Sequence, residues 1–318
     1  MEILHRLDDL PVGLRFVLAV GMFDGVHRGH RQVLGTAAAA ARDADATAFA
    51  LTFAPHPGAV LGRGAPPLLC DPAEKLERLA ALGVGLTVVC PFDRQFAEQS
   101  AHDFLARLAA GRQLRAVVMT PETAFGRDRS GTLAAVEQLA PELGFAVINA
   151  PELSLGGARV SSSRVRAELA AGRLAAARRL LGRDYAVVGT VVRGDGRGRQ
   201  LGYPTANLHF DEPVALPPDG IYAVRASWGG RSVMAPAHRA DGVAALGVRP
   251  TFGGGARTLE AFLFDFDGDL YGQRLRLELV RRQRGERRFA SVAALVEQMD
   301  RDSARARRIL RDVPARPG

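Results

Sequence analysis

The 318-residue chain has two cysteines, one tryptophan and a single lysine. Each scarcity excludes something. Cys70 and Cys90 lack metal-ligand spacing and cannot form a disulfide framework, so they read as ordinary thiols in a reducing compartment. No apolar run approaches the ~18 residues of a membrane span. The opening "MEILHRLDDLP" carries acids early and lacks a continuous apolar stretch before a small-residue cleavage site, so no signal peptide is expected. Together these point to a cytoplasmic protein without a membrane partner. Lys75 is the only lysine, so 41 of the 42 basic residues are arginine. With the heavy use of Ala and Gly, that skew fits the coding bias of a GC-rich genome. The net charge of +8 invites a nucleic-acid reading, but such a surface interleaves aromatics with basic residues. Aromatics are only 6% here and sit mostly in apolar segments, while the arginines are spread among acids, so no nucleic-acid partner is expected. The densest basic run, "RRQRGERRF" (281–289), reads as a solvated face.

What is present is an alternation. "FVLAVGMF", "ATAFALTF", "GLTVVC", "RAVVM" and "FAVIN" are short apolar segments separated by helical patterns at 30–42, 71–83, 100–110 and 132–143. Asp71, Pro72 and Glu74 supply a cap, a first-turn proline and a capping-box acid, and Gly83 closes that helix; Ser100 and Asp103 open the next in the same way. Buried strands alternating with helices predict a parallel, doubly wound α/β sheet. Ligands of such sheets gather beyond the carboxyl ends of the strands. Two helices then occupy 161–182. After them the pattern changes to "YAVVGTVV", "GIYAVRASW", "GVAALGV", "TLEAFLFDF" and "RLRLELV", divided by Gly, Pro and Asp. These predict a small antiparallel β-barrel, followed by a terminal helix over about 291–311. The domain boundary is expected near residue 183, giving domains 1–182 and 183–318.

The loop "GMFDGVHRGH" (21–30) follows the first strand and opens the first helix. Unpaired N–H groups and the helix dipole make such a junction an anion site. Gly29 permits close backbone approach, Asp24 and Gly25 shape the turn, and His27 and His30 can donate to phosphate oxygens as charge develops. Two histidines capping a helix would explain the same spacing. A second helix start rich in hydroxyls, Ser161, Ser162 and Ser163 with Arg164, suits a departing pyrophosphate and favours nucleotidyl transfer.

These blocks resemble the bacterial bifunctional riboflavin kinase/FMN adenylyltransferase family. "GMFDGVHRGH" is similar to its His-x-Gly-His signature, and "TFAPHP" (52–57) and "RVSSSRVRAEL" (159–169) follow in order. "GRGRQLGYPTANL" (196–208), "GIYAV" (220–224), "GVRPTFGG" (247–254) and "LEAFLFDFDGDLYG" (259–272) resemble the kinase half. The resemblance implies a Rossmann-like nucleotidyltransferase domain and a kinase barrel, with riboflavin, FMN and ATP as small-molecule substrates, FAD as product and Mg²⁺ as cofactor. It implies that Thr205 and Asn207 hold Mg²⁺, that Gly194, Gly196, Gly198 and Gly202 let backbone approach the ATP phosphates, and that Glu260 is the kinase base. Ser161 to Arg164, Asp24, Gly25 and Gly29 would line the other ATP site. The chain is expected to be a monomer or weak homo-oligomer. Thr120, Glu122 and Thr123 depart from the family's Gly-x-Asp-Phe stretch, Ala245 stands where an Asn is frequent, and Phe262 where a His is usual. The departures leave open a kinase whose adenylyltransferase domain is weakened or inactive.

Overall fold

The computed structural model describes residues 1–194, 196–248 and 257–313. They form two compact units, residues 1–66 with 75–161, and residues 67–74 with 162–318.

The first unit is built on a six-stranded parallel sheet: β1 (Glu2–Leu4), β2 (Arg15–Val20), β3 (Thr47–Ala54), β4 (Leu86–Pro91), β5 (Gln113–Met119) and β6 (Ala146–Asn149), in the order β1-β4-β3-β2-β5-β6. The helices are α1 (Arg28–Asp43), α2 (Pro72–Ala81), α3 (Ala101–Ala109) and α4 (Leu133–Leu143). Alternate residues of β2 face opposite layers. Phe16 and Leu18 pack with Phe49, Leu51, Phe104 and Leu108, while Val17 and Ala19 pack with Leu34, Ala37 and Ala38 of α1. Both faces of the sheet are therefore buried, which is why its strands read as continuous apolar runs rather than alternating ones. The expected caps form: Asp71 accepts from the N–H groups of Ala73 and Glu74 at 2.9 and 3.1 Å, and Ser100 from that of Asp103 at 3.0 Å. The doubly wound sheet is as expected, with β1 as an additional edge strand.

The second unit is a closed antiparallel barrel: β7 (Ala186–Val192), β8 (Thr205–His209), β9 (Gly220–Trp228), β10 (His238–Val248), β11 (Arg257–Leu263) and β12 (Arg274–Arg284), in the order β7-β8-β11-β10-β9-β12. Tyr222, Val224, Leu246, Leu259, Leu275 and Leu277 are among its fully buried side chains. The terminal helix α7 (Val292–Asp312) packs Ala306, Ile309 and Leu310 against Ala223 and Phe264. Five barrel segments were legible in the sequence; β8, the sixth, was not.

Helices α5 (Ser162–Ala170) and α6 (Leu174–Leu181) group with the barrel unit, and the compact units part at Ser161/Ser162. Residues 67–74 join the barrel unit through charge. Buried Glu74 accepts from Arg276 Nε and Nη2 at 3.3 and 3.4 Å, and Arg183 Nε lies 3.9 Å from it. Arg274 donates to Asp71 at 2.5 Å. The guanidinium of Arg276, although penalised by burial, is held charged by Glu74 and Glu278.

Candidate functional sites

The strand–loop–helix junction of the first unit is tightly built. Phe23, Gly25 and Val26 adopt φ of 49°, 77° and 37°. Gly25 does this freely; a β-branched valine in the left-handed region costs about 1–3 kcal/mol and persists only where its surroundings fix it. Asp24, Val26 and His27 are all buried. His27 is the N-cap of α1, and its Nδ1 accepts from the backbone N–H of His30 at 3.2 Å. An accepting Nδ1 places the ring proton on Nε2, leaving that nitrogen as a donor. The two imidazoles stack, with centroids 3.6 Å apart and planes 16° from parallel, and Phe23 meets His30 edge-on at 5.4 Å. A Cβ on Gly29 would stand 3.2 Å from the His27 ring and 3.3 Å from the Val160 carbonyl oxygen. A side chain between the histidines would crowd the capping ring and this carbonyl.

Burial, and then the proximity of the His27 ring and of the Lys75 ammonium, holds the His30 imidazole well below its ordinary value of 6.5, so it is neutral at pH 7. Its Nδ1 is buried with no hydrogen-bond partner among the described residues. Lys75 was legible only as the single lysine, with no role. Its Nζ donates to Thr52 Oγ1 at 3.1 Å and reaches the Met22 carbonyl at 3.5 Å, while Thr52 donates to the same carbonyl at 3.1 Å. No local signal could have found this, since its partners lie far away in sequence.

Ser161 ends the described span of the first unit, and Ser162, Ser163 and Arg164 begin α5 in the second. At the departures, the Thr123 hydroxyl lies 3.0 Å from both the N–H and the hydroxyl of Thr120, so these residues close a turn. A chain of aromatic rings lies in the same unit. Phe53, at the carboxyl end of β3, meets Phe92 and Phe96, each at 5.5 Å, and Phe96 continues to Phe104 and Phe125.

In the barrel, Glu260 occupies the centre of β11. The alternation along that strand turns Leu259, Ala261 and Leu263 inward and leaves Thr258, Glu260 and Phe262 on the half-buried outer face. Glu260 pairs in register with Asn207 on one side and Ala245 on the other, and Thr205 pairs with Phe262. The Thr205 hydroxyl donates to Glu260 Oε2 at 3.3 Å. Thr205, Asn207 and Glu260 thus lie together on the paired strands β8 and β11. A Cβ on Gly194 would meet the Asn207 amide at 2.6 Å, so a glycine is required for the chain to pass there. Gly196 and Gly202 take left-handed φ of 71° and 80° on either side of a helical turn, Arg197–Gln200. A Cβ on Gly198 would lie 2.3 Å from the Tyr203 carbonyl oxygen. Phe262 fills the usual histidine position by packing against the Tyr203 ring at 4.8 Å. The "RPTFGG" part of the expected motif (249–254) lies outside the described residues.

Thr205 and Asn207 each offer a side-chain oxygen, which suits a hard divalent cation that keeps much of its water. Among the described residues no group of three or more His, Cys, Asp or Glu could hold a metal, and no helix is long and apolar enough to cross a membrane.

Two family models match successive parts of the chain. A riboflavin kinase model matches residues 181–310 and an FAD synthetase model residues 13–164. The bifunctional riboflavin kinase/FMN adenylyltransferase of Bacillus subtilis (strain 168) is 34% identical over 296 residues, covering 91% of each chain. That of Escherichia coli (strain K12) is 36% identical over 306 residues, covering 96% of this chain and 95% of the relative. A crystal structure described as a macrolide-efflux protein from Streptococcus pneumoniae superposes with a TM-score of 0.85 at 28% identity, covering 98% of this chain and 99% of that one. With a histidine-capped loop in one unit, a Thr–Asn–Glu cluster in the other and end-to-end similarity to relatives that have both halves, the chain belongs to the bifunctional riboflavin kinase/FMN adenylyltransferase family.

Proposed function

We propose that the chain makes flavin cofactors in two steps, phosphorylating riboflavin to FMN with ATP and then transferring AMP from a second ATP to FMN, which yields FAD and pyrophosphate. In this reading the kinase belongs to residues 183–318 and the adenylyltransferase to residues 1–182, although the barrel also draws 67–74 and 162–181 into its packing.

The kinase assignment rests on the cluster around Glu260. Its carboxylate accepts the proton of the ribityl hydroxyl as that oxygen attacks the γ-phosphorus and ADP departs. The hydroxyl of Thr205, 3.3 Å away, orients the carboxylate. Thr205 and Asn207 would hold Mg²⁺, which when bound supplies positive charge to the phosphates. Gly194, Gly196, Gly198 and Gly202 keep the approach to this cluster free of side chains.

In the first unit the FMN phosphate attacks the α-phosphorus of ATP. This chemistry calls for positioned donors more than a covalent nucleophile. His27 offers Nε2–H because its Nδ1 is committed to the helix cap. His30 brings a neutral ring with a buried, unused nitrogen. Asp24, Gly25 and Gly29 hold the loop in shape, and Ser161, Ser162, Ser163 and Arg164 take the departing pyrophosphate. Phe53, Phe92 and Phe96 provide aromatic surface for the flavin where Thr123 does not. No observation on this loop favours an inactive adenylyltransferase over an active one. The protein acts in the cytoplasm as a monomer or weak homo-oligomer; both cysteines are buried and free.

The test is direct. The protein is incubated with riboflavin, ATP and Mg²⁺, and products are resolved by chromatography over time. FMN should appear first and FAD after it. Accumulation of FMN without FAD would leave a kinase alone, and absence of FMN would overturn the barrel assignment.

A further inference from the structure

Tyr203 stands two residues before Thr205 and is anchored three ways. Its backbone N–H donates to the Gly198 carbonyl at 2.8 Å, closing the glycine-rich turn. Its ring packs edge-on against Phe262, the register partner of Thr205. Its hydroxyl donates to Asp300 of the terminal helix α7.

Helix α7 does not depend on this bond for its place. Arg284 binds Asp302 at 2.6 to 3.1 Å, Arg225 donates to the Leu310 carbonyl at 3.0 Å, and Arg307 forks onto Asp265 at 2.7 and 2.8 Å while lying over Phe264. Asp300 lies near the middle of this anchored helix, two residues before Asp302, and through Tyr203 it reaches the segment that enters β8.

We propose that Asp300 and Tyr203 are positioning residues for the kinase, a latch by which the terminal helix holds the Gly198–Thr205 segment so that Thr205 and Asn207 stay aligned with Glu260. The inference rests on the kinase reading of the Glu260 cluster. Neither residue touches the reacting atoms. Pro204, with its fixed φ, leaves little slack between the tyrosine and Thr205. Releasing the hydroxyl therefore loosens the nucleotide-binding segment more than it unfolds the barrel.

The test uses the full chain with Tyr203→Phe, Asp300→Ala, Asp300→Asn and the Tyr203→Phe/Asp300→Ala pair. The KM for Mg·ATP in riboflavin phosphorylation should rise about fivefold in Tyr203→Phe and in Asp300→Ala, the effect of one ordinary hydrogen bond, with a smaller change in kcat. The pair should be no worse than either single change, because both remove the same bond. Asp300→Asn, which keeps an accepting oxygen, should restore most of the affinity. FAD formation from supplied FMN should be unchanged. Amide hydrogen exchange should quicken over residues 198–208 in Tyr203→Phe and Asp300→Ala, with the rest of the barrel as protected as before. An unchanged KM, effects that multiply in the pair, or exchange unaltered over 198–208 would overturn the latch. If the wild type phosphorylates no riboflavin, the kinase reading falls, and the exchange comparison still decides whether the latch exists.

Discussion

Replacing Glu74 with alanine removes the carboxylate around which the barrel unit gathers a segment from far upstream. Glu74 is 1% exposed and Arg276 9% exposed, so solvent cannot take over the lost charge. Arg276 loses two hydrogen bonds, at 3.3 and 3.4 Å, and retains Glu278 at 2.5 Å. Breaking a buried pair from one side costs about 3–5 kcal/mol. The remaining Glu278 contact puts this case near the lower end, about 3 kcal/mol. For a unit of this size the melting temperature should fall by roughly 6–12 °C. Trp228, the single tryptophan, lies in the barrel and is 8% exposed, so its fluorescence in urea reports this unit alone. The double change Glu74→Leu/Arg276→Met should recover part of the loss, because the Glu74–Arg276 pair is then removed from both sides while Arg183 and Glu278 each lose one partner. Glu74→Ala unfolding within about 0.5 kcal/mol of wild type, the scale of an unremarkable surface change, would refute the claim that this pair ties residues 67–74 to the barrel. A fragment starting at residue 183 lacks the same carboxylate and should be destabilised similarly.

His30→Ala should lower FAD formation from FMN by about 10²-fold, the effect of losing one preorganised donor, while riboflavin phosphorylation continues; FAD made at the wild-type rate would reject the phosphate-site reading of the loop. His30 also sets an acid limb of stability. Its folded value is depressed, so below 6.5 the unfolded chain takes up a proton that the folded state refuses, and stability falls as pH drops. One such group can contribute a slope of at most about 1.4 kcal/mol per pH unit. Urea unfolding followed by circular dichroism should show this loss in wild type and its absence in His30→Gln; identical profiles would reject it.

Which features the sequence disclosed follows from the distance over which each is determined. The sheet strands were legible because burial on both faces makes them unbroken apolar runs, and α2 and α3 because Asp71 and Ser100 cap them locally. Strand β1 was not, since its three residues carry little apolar pattern. Strand β8 was hidden because Thr205 and Asn207 interrupt its apolar pattern with polar residues. The two histidines and Gly29 could be picked out by spacing, but the His27 cap, the ring stack and the left-handed Val26 appear only in three dimensions. Lys75 beside Thr52 and Glu74 beside Arg276 depend on pairings across 23 and 202 residues. So does the assignment of α5 and α6 to the barrel unit, which a helix pattern alone leaves open.

The measurement that bears most directly on the central claim is the pair of activities in Glu260→Gln. The change keeps the shape beside Asn207 and Thr205 and removes the base. FMN formation from riboflavin and Mg·ATP should fall by roughly 10²-fold or more, while FAD formation from supplied FMN and ATP stays near the wild-type rate. Riboflavin phosphorylation at an undiminished rate in a folded Glu260→Gln protein would contradict the account.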